Sequence, residues 1–177
     1  LAEVECDAIV TLCPHCAHML GNEYTDLAET DAPRSIAPVQ HATAYLAGLL
    51  REGRLAFPPV RADAADTPRV VTYHDPCYLA RGVGDERSAR EILTHLPGIV
   101  LRELPRHGAA SRCCGAGGGR MWLEDDGGRL EAGRVAEVAA CGAGACVTAC
   151  PYCAAMLGDG LQAAAEGTDI LDVVELV

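Results

Sequence analysis

The sequence contains no lysine, so each of its 14 basic residues is an arginine. Against them stand 25 aspartate and glutamate residues, which gives a formal net charge of −11. No run of basic residues interrupts this acidic background, although phosphate backbones and anionic lipids attract proteins mainly through such runs. The composition therefore argues against binding to nucleic acids or to anionic membrane surfaces, and we expect no nucleic-acid partner.

Long apolar runs are also absent, although half of the 177 residues are hydrophobic. Aromatic residues make up only 4%, and no window approaches the run of about 18 apolar residues that a membrane span requires. Residues 1–5 include neither a methionine nor a charged-then-apolar leader. We therefore expect a cut made inside a longer, cytoplasmic chain. Any attachment to the cytoplasmic face of a membrane would come from a membrane-embedded upstream segment.

Cysteine, in contrast, is abundant, with ten residues in a chain that shows no export signal. The ten lie at positions 6, 13, 16, 77, 113, 114, 141, 146, 150 and 153. In a protein that is not exported, such thiols more often bind metals or take part in redox chemistry than form disulfides. The cysteine count therefore favours a metal or redox protein.

Short apolar runs alternate with stretches of helical periodicity, which is typical of an α/β fold with a short, mostly parallel sheet and flanking helices. The predicted strands are 8–12, 69–73, 99–104 and 145–149. The predicted helices are 15–28, 41–52, 86–96, 128–141 and 151–165. Trp122, the only tryptophan, is expected to anchor the core.

An internal repeat indicates tandem modules. Residues 9–21 align without gaps on 146–158, and nine of the 13 positions are identical. The offset of 137 residues would place the counterparts of Cys77, Cys113 and Cys114 before residue 1. The expected organisation is a remnant of a first module at 1–56, a proline-containing linker at 57–68 and a complete second module at 69–177.

The second module combines a cysteine pair with a single Cys-x-x-Cys motif. Cys150 is predicted to cap a helix that starts at Pro151, where free backbone N–H groups stabilise thiolates. Adjacent Cys113 and Cys114 point different ways along the backbone, which suits a polynuclear centre better than one tetrahedral ion. The glycine-rich run 115–119 lets backbone N–H groups approach the sulfurs of such a centre.

The full spacing is Cys77, 35 residues, Cys-Cys-Gly at 113–115, 34 residues, and Cys-x-x-Cys at 150–153. This pattern resembles that of the CCG (cysteine-rich) domain family. The family includes the cysteine-rich subunit of heterodisulfide reductase and iron–sulfur subunits of glycolate, lactate and glycerol-3-phosphate oxidising systems. Residues 74–79 and 113–122, with 41–43 and 51–55, look closest to the branch that passes electrons from electron-transfer flavoprotein to menaquinone.

The resemblance implies an oxidoreductase component in which each intact module can hold a 4Fe–4S cluster, in some members a non-cubane one. The implied ligands are Cys77, Cys113, Cys114, Cys150 and Cys153. Cys13 and Cys16 would be ligands only together with the missing upstream module. No catalytic side chain is implied, because the redox step belongs to the cluster.

The implied function is electron transfer between a flavoprotein or another cluster and a quinone-type acceptor. The expected partners are electron-transfer flavoprotein or another redox subunit, the quinone pool indirectly, and the upstream portion of the same chain. One alternative is reductive cleavage of a disulfide at the cluster, as in heterodisulfide reductase. Another is a structural zinc site, which Cys13, Cys16, Cys150 and Cys153 could form together, leaving the other three cysteines without a role. Strand–Cys-x-x-Cys–helix is also the context of thioredoxin-like enzymes, but Cys-Cys-Gly has no role there.

Several neighbouring residues are candidates for a supporting role. His74 is either a partner of the cluster, for instance as a proton donor, or a polar strand end. Gly115 could direct its N–H at a sulfur. Three arginines are either sources of positive charge for an anionic cluster or ordinary solvated side chains: Arg81, Arg112 and Arg120. The cysteines outside the pattern are interpreted as small buried residues: Cys6, Cys141 and Cys146.

Overall fold

The computed structural model describes residues 4–24, 37–59, 69–123 and 130–177. Every strand in these ranges runs parallel to its neighbours, and helices flank the sheets, which confirms the predicted α/β class. The strands are β1 (Ile9–Thr11), β2 (Val39–His41), β3 (Arg69–Tyr73), β4 (Ile99–Leu101), β5 (Ala145–Thr148) and β6 (Asp169–Asp172). The α-helices are α1 (Pro14–His18), α2 (Ala42–Arg51), α3 (Ser88–His95), α4 (Ala132–Cys141) and α5 (Pro151–Ala163).

The larger sheet has the strand order β4-β3-β5-β6. From β3 the chain crosses to β4 on one side, and from β5 it crosses to β6 on the other, so the direction of winding reverses between β3 and β5. In open parallel sheets such a reversal leaves a crevice at the carboxyl ends of the two strands, and ligands bind there. The topology therefore marks the region just after Tyr73 and Thr148 as the place for a site.

All four residues of strand β5 are buried, and they contribute side chains to an apolar core on each face of the larger sheet. Val147 packs in one cluster with Ile92 of α3 and Ala47 of α2. Cys146, on the opposite face, packs in the other cluster with Val138 of α4 and residues of α5. Helices thus cover both faces of β5, as is usual for a strand inside a parallel sheet.

The packing of α4 on α5 depends on a glycine. A Cβ atom at Gly160 would lie 2.6 Å from Cγ2 of Val135, well inside van der Waals contact. The two helices can therefore approach at this point only because Gly160 has no side chain.

The shorter sheet pairs β1 with β2, and its local arrangement parallels that of β5 and β6. Thr11 is in register with His41, and Thr148 is in register with Asp172. His41 accepts a hydrogen bond from the N–H of Thr43 at the start of α2, and Asp172 caps the 3₁₀ turn that follows β6 in the same way. None of the helices in the described ranges combines the length and apolarity needed to cross a bilayer.

Several predicted boundaries were wrong. The strand predicted at 99–104 ends at Leu101, and the helix predicted from 128 begins at Ala132, although residues 128 and 129 lie outside the described ranges. The helix predicted at 15–28 is α-helical only to His18 and continues as a π-helical segment, Met19–Glu23; residues 25–28 are again outside the description. A second π-helical segment, Tyr78–Val83, was not predicted. Most of the linker, residues 60–68, also lies outside the described ranges.

Three side chains differ from their predicted burial. Trp122 is 78% exposed at the end of a 3₁₀ segment, Gly117–Trp122, and therefore does not anchor the core. Cys6 is exposed and Cys141 is only partly buried, whereas Cys146 is buried as predicted. Of the cysteines outside the repeated pattern, only Cys146 therefore behaves as a core residue.

Candidate metal centre

Five cysteines meet at the crevice between β3 and β5. Cys77 directly precedes the π-helical segment Tyr78–Val83, at the end of the loop that follows β3. Cys150 is the N-cap of α5 and Cys153 lies in its first turn, as predicted. Cys113 and Cys114 belong to the loop between β4 and α4, where Cys113 is exposed and Cys114 is buried. The structure therefore brings together all five cysteines that the second module was predicted to contribute.

The five thiols form a continuous chain of contacts. The Sγ atom of Cys153 lies 3.2 Å from that of Cys114 and donates a hydrogen bond to it. The pKa of Cys113 also responds to the neighbouring thiols of Cys114 and Cys77, and the pKa of Cys150 to that of Cys153, which places these thiols next to one another. The sulfurs therefore follow the order Cys77, Cys113, Cys114, Cys153, Cys150.

Protons are shared unequally along this chain. Hydrogen bonds from Cys114 and Cys77 lower the pKa of Cys113 to about 2, whereas the bond to Cys113 raises the pKa of Cys114 to about 11. At the other end the neighbouring thiol of Cys153 lowers the pKa of Cys150, and the thiols of Cys114 and Cys150 raise the pKa of Cys153. The acidic thiols thus lie next to thiols that keep their protons. A cationic metal centre would displace the remaining protons, which makes this donor set suitable for one.

Backbone N–H groups converge on Cys150 and Cys113. After the neighbouring thiol of Cys153, the backbone N–H groups of Cys153 and Tyr152 at the start of α5 help to lower the pKa of Cys150. The N–H of Gly115 lies 3.3 Å from the Sγ atom of Cys113. Gly115 has a φ of +88°, and a Cβ atom there would lie 3.1 Å from Cβ of Leu130. Only glycine satisfies both conditions without strain.

Behind the thiols lies a buried pair formed by His74 and Arg134. A ring nitrogen of His74 and the sulfurs of Cys114 and Cys153 lie within 4.8 Å of one another. The Nε–H of Arg134 donates a hydrogen bond of 2.9 Å to Nδ1 of His74, whereas the buried Nε2 has no partner among the described residues. Burial, and secondarily the charge of Arg134, lowers the pKa of His74 to about 3. The imidazole is therefore neutral in the folded chain.

Arg134 is completely buried, and each of its three guanidinium nitrogens donates a hydrogen bond. Besides His74, it donates to Oγ of Ser111 at 2.7 Å, to the carbonyl of Arg106 and to the carboxylate of Glu137. Sequence reasoning did not identify Arg134 as a functional residue. A signal was present, because Arg134 falls with Val135 and Val138 on the buried face of the predicted helix, where an arginine is uncommon.

The other predicted arginines have different environments. Arg81 donates to the carbonyls of Ala109 and Ser111, and its charge acts on Cys77. Arg112 is paired with Glu137. Arg120 is exposed on the segment Gly117–Trp122. Positive charge behind the thiols therefore comes from Arg134, with Arg81 beside Cys77.

The first Cys-x-x-Cys motif lies beside the centre. Nδ1 of His15 is 3.6 Å from the Sγ atom of Cys13 and 4.0 Å from that of Cys150. The ring of His15 also packs on Tyr78, with the ring centroids 4.1 Å apart. Cys16 is exposed. The structure thus places Cys13 next to the second module and leaves Cys16 at the surface.

A zinc site shared by the two Cys-x-x-Cys motifs is not favoured by this geometry. A structural zinc site needs four ligand atoms around one point. In the described part of the chain, three potential ligand atoms lie within 4.8 Å of one another, and they belong to His74, Cys114 and Cys153. This group includes neither Cys13 nor Cys16. The extended order of the five thiols suits a polynuclear centre better.

The fold and the thiols together define a class: a parallel α/β domain with cysteines gathered at the carboxyl edge of its sheet. Residues 71–158 match the profile of the CCG family, described as a cysteine-rich domain. The chain therefore contains a CCG cysteine-rich domain, and the relatives that it resembles are named as iron–sulfur oxidoreductases or subunits of oxidoreductases.

Three relatives illustrate the similarity. The chain is 37% identical to a probable iron–sulfur-binding oxidoreductase of Bacillus subtilis over 96% of its own length and 23% of the relative. It is 34% identical to an EtfAB:quinone oxidoreductase of Syntrophomonas wolfei over 96% of its length and 23% of the relative. It is 33% identical to one subunit of the dihydromethanophenazine:CoB–CoM heterodisulfide reductase of Methanosarcina barkeri over 85% of its length and 37% of the relative. The chain therefore spans well under half of each of these proteins.

Proposed function

We propose that this chain is an iron–sulfur electron-transfer domain in which Cys77, Cys113, Cys114, Cys150 and Cys153 bind one 4Fe–4S cluster. The observation that supports this most directly is the continuous chain of five thiols at the point where the sheet reverses its winding. The iron–sulfur relatives support the choice of iron over zinc. Five converging thiols also exceed the four ligands of a structural zinc ion.

When bound, the cluster would supply one-electron transfer, and the protein would set its environment. Cys114, Cys150 and Cys153 are buried, whereas Cys113 is exposed, so the site is protected on one side and open on the other. The N–H groups of Gly115 and of the first turn of α5 stabilise negative charge on sulfur. The buried guanidinium of Arg134 adds positive charge behind the site.

The proposed electron donor is electron-transfer flavoprotein, and the proposed final acceptor is a quinone. The name of the relative from Syntrophomonas wolfei supports this pair, as do the motifs at residues 74–79 and 113–122. The proposal includes a tandem organisation, with 1–56 as the end of a first module, 57–68 as a linker and 69–177 as the second. Cys13 and Cys16 would then complete a second cluster only with an upstream module, and that upstream portion would hold the chain at the cytoplasmic face of a membrane.

Disulfide reduction is the second candidate function. It is favoured by the similarity to a heterodisulfide reductase subunit and by the exposure of Cys113 at the edge of the site. A paramagnetic signal that appears only when a disulfide substrate is added would support this function over simple electron transfer.

The first experiment is to measure iron, acid-labile sulfide and zinc in anaerobically purified or reconstituted protein, together with its EPR spectrum. About four iron and four sulfide per chain are expected for one cluster. Protein that contains zinc and takes up no iron on reconstitution would contradict the proposal and leave a structural zinc module. If iron is bound, loss of cluster absorbance on mixing with reduced electron-transfer flavoprotein would support the proposed donor.

A further inference from the structure

The direction of the hydrogen bond in the buried pair of His74 and Arg134 determines which ring nitrogen of His74 carries a proton. A guanidinium N–H can only donate a hydrogen bond, so Nδ1 of His74 must accept the 2.9 Å bond from Arg134. Nδ1 therefore carries no proton. An imidazole without a proton on Nδ1 is neutral and has its single proton on Nε2, the buried nitrogen that has no partner among the described residues.

This tautomer is the opposite of the one expected for a metal-binding histidine. A histidine that binds a metal uses an unprotonated nitrogen, and its other ring nitrogen normally donates a hydrogen bond to a carboxylate or carbonyl. Here the other nitrogen accepts a hydrogen bond instead, and the nitrogen left over is protonated. Although His74 lies within 4.8 Å of the sulfurs of Cys114 and Cys153, it is therefore arranged as a hydrogen-bond donor and not as a ligand.

We propose that Arg134 fixes His74 in the Nε2–H tautomer, so that His74 donates an N–H···S hydrogen bond to a sulfur of the bound cluster beside Cys114 and Cys153. This inference rests on the proposed iron–sulfur function. It assigns to His74 a role in tuning the cluster, because hydrogen bonds to sulfur stabilise the more negative, reduced state and raise the reduction potential. Arg134 is a positioning residue, since it acts through His74.

Arg134 is itself held so that its Nε–H cannot turn away. One terminal nitrogen bonds to the carbonyl of Arg106 and to Glu137, and the other bonds to Oγ of Ser111. Glu137, with only 14% of its side chain exposed, supplies a negative charge that Arg134 shares with Arg106 and Arg112. The hydroxyl of Ser111 in turn donates to the carbonyl of Asp75, next to His74. The network thus holds in place both the guanidinium of Arg134, which donates the hydrogen bond, and the backbone beside His74, whose ring accepts it.

The test uses the iron-loaded chain after exchange into D₂O. ENDOR spectroscopy should detect an exchangeable proton coupled to the cluster, and nitrogen couplings should be those of a hydrogen-bonded, not a coordinated, imidazole. His74→Phe should keep iron but lose this proton signal and shift the midpoint potential to a more negative value. His74→Gln, whose side chain retains an N–H donor, should restore part of the shift.

Arg134→Lys and Arg134→Met test the positioning role. Both remove the guanidinium Nε donor, so the exchangeable proton should weaken or disappear although His74 is present. Arg102→Met is the matched control, because Arg102 is an exposed arginine that bonds to the carbonyl of Cys141 away from the site. This control should leave the proton signal and the potential unchanged. If Arg134→Met does not fold, Arg134→Lys still gives the comparison.

Two outcomes would overturn the inference. The first is a nitrogen coupling typical of direct coordination in the unsubstituted chain. The second is a set of exchangeable-proton signals in His74→Phe identical to that of the unsubstituted chain, since the backbone N–H groups at Cys113 and Cys150 contribute equally to both. If the chain binds no iron, the proposed function fails separately, but ¹⁵N NMR of the imidazole still decides the tautomer. A proton on Nε2 that moves or exchanges in Arg134→Lys supports the inference. A proton on Nδ1 in the unsubstituted chain contradicts it.

Discussion

Gly115 shows how one residue determines where the thiols of two neighbouring cysteines lie. Its φ of +88° turns the backbone so that its N–H meets the sulfur of Cys113, while Cys114 enters the buried side of the loop. A residue with a side chain would be strained in this conformation by about 1–2 kcal/mol. The Cys-Cys-Gly sequence is therefore a single structural unit, in which the glycine allows two adjacent cysteines to serve different sides of one site.

At this scale we predict that Cys113→Ser and Cys114→Ser each abolish cluster assembly. A serine hydroxyl is a poorer iron ligand than a thiolate, and either substitution breaks the continuous chain of sulfurs. Iron and sulfide content, with the visible absorbance of the reconstituted protein, should fall to the level of a protein without a cluster.

Cys141→Ser is the matched control for these variants, because Cys141 lies at the end of α4, where its sulfur contacts the carbonyl of Arg102. It should leave the iron content unchanged. Full iron content in Cys114→Ser, or loss of iron in Cys141→Ser, would show that the proposed ligand set is wrong.

The site was only partly predictable from residue types. Spacing along the chain indicated the five cysteines, because the pattern of a single cysteine, a Cys-Cys-Gly and a Cys-x-x-Cys can be read directly from the sequence. The role of His74 remained open, since nothing within a few residues decides its tautomer. Its partner Arg134 is 60 positions away and becomes a neighbour only through the packing of α4. Long-range pairs of this kind leave no local pattern.

At the scale of elements, the structure depends on the close contact between α4 and α5. We predict that Gly160→Ala lowers the free energy of unfolding by about 1 kcal/mol, because overpacking against Val135 outweighs the gain in helix propensity. The measurement is reversible denaturation by heat or urea under anaerobic conditions.

Gly48→Ala in α2 is the comparison, since a Cβ atom there has no neighbour within 4 Å. It should raise the free energy of unfolding by about 0.5–1 kcal/mol. Equal effects of the two substitutions would mean that the α4–α5 contact is looser than described.

Amphipathic helices were predicted well, whereas two of the short strands were missed. Helices α2 and α3 carry apolar residues at helical spacing, and their observed bounds fall within one or two residues of the prediction. Strands β2 and β6 were missed, because polar residues interrupt them and they lack the short apolar run that indicated β1 and β4. The exposure of Trp122 also followed no local rule: Gly118 and Gly119, both with positive φ, turn that segment towards the surface.

At the scale of the whole molecule, the N-terminal unit contributes to the core of the larger sheet. Ala47 of α2 is completely buried in one cluster with Val71 and Val147, although it precedes the residues that match the family profile. Arg51 of α2 also forms two parallel hydrogen bonds with Glu91 of α3. The two halves of the chain therefore share one core.

We accordingly predict that Ala47→Asp destabilises the entire fold by about 3 kcal/mol or more, because it buries an unpaired charge. A single unfolding transition, followed by circular dichroism, should move to lower temperature. Tyr45→Asp, on the exposed face of the same helix, is the control and should have a much smaller effect. A second transition that stays in place in Ala47→Asp would show that the larger sheet folds independently of α2.

The topology of the site also has a consequence for biosynthesis. Its cysteines are spread from position 77 to position 153, so the ribosome makes the first of them 76 residues before the last. At about 5–20 residues per second, this interval is roughly 4–15 s. The crevice between β3 and β5 is not lined by all five cysteines until α5 has been synthesised. The proposed cluster can therefore be completed only after α5 has been synthesised, and the thiols made before it have to stay reduced until then.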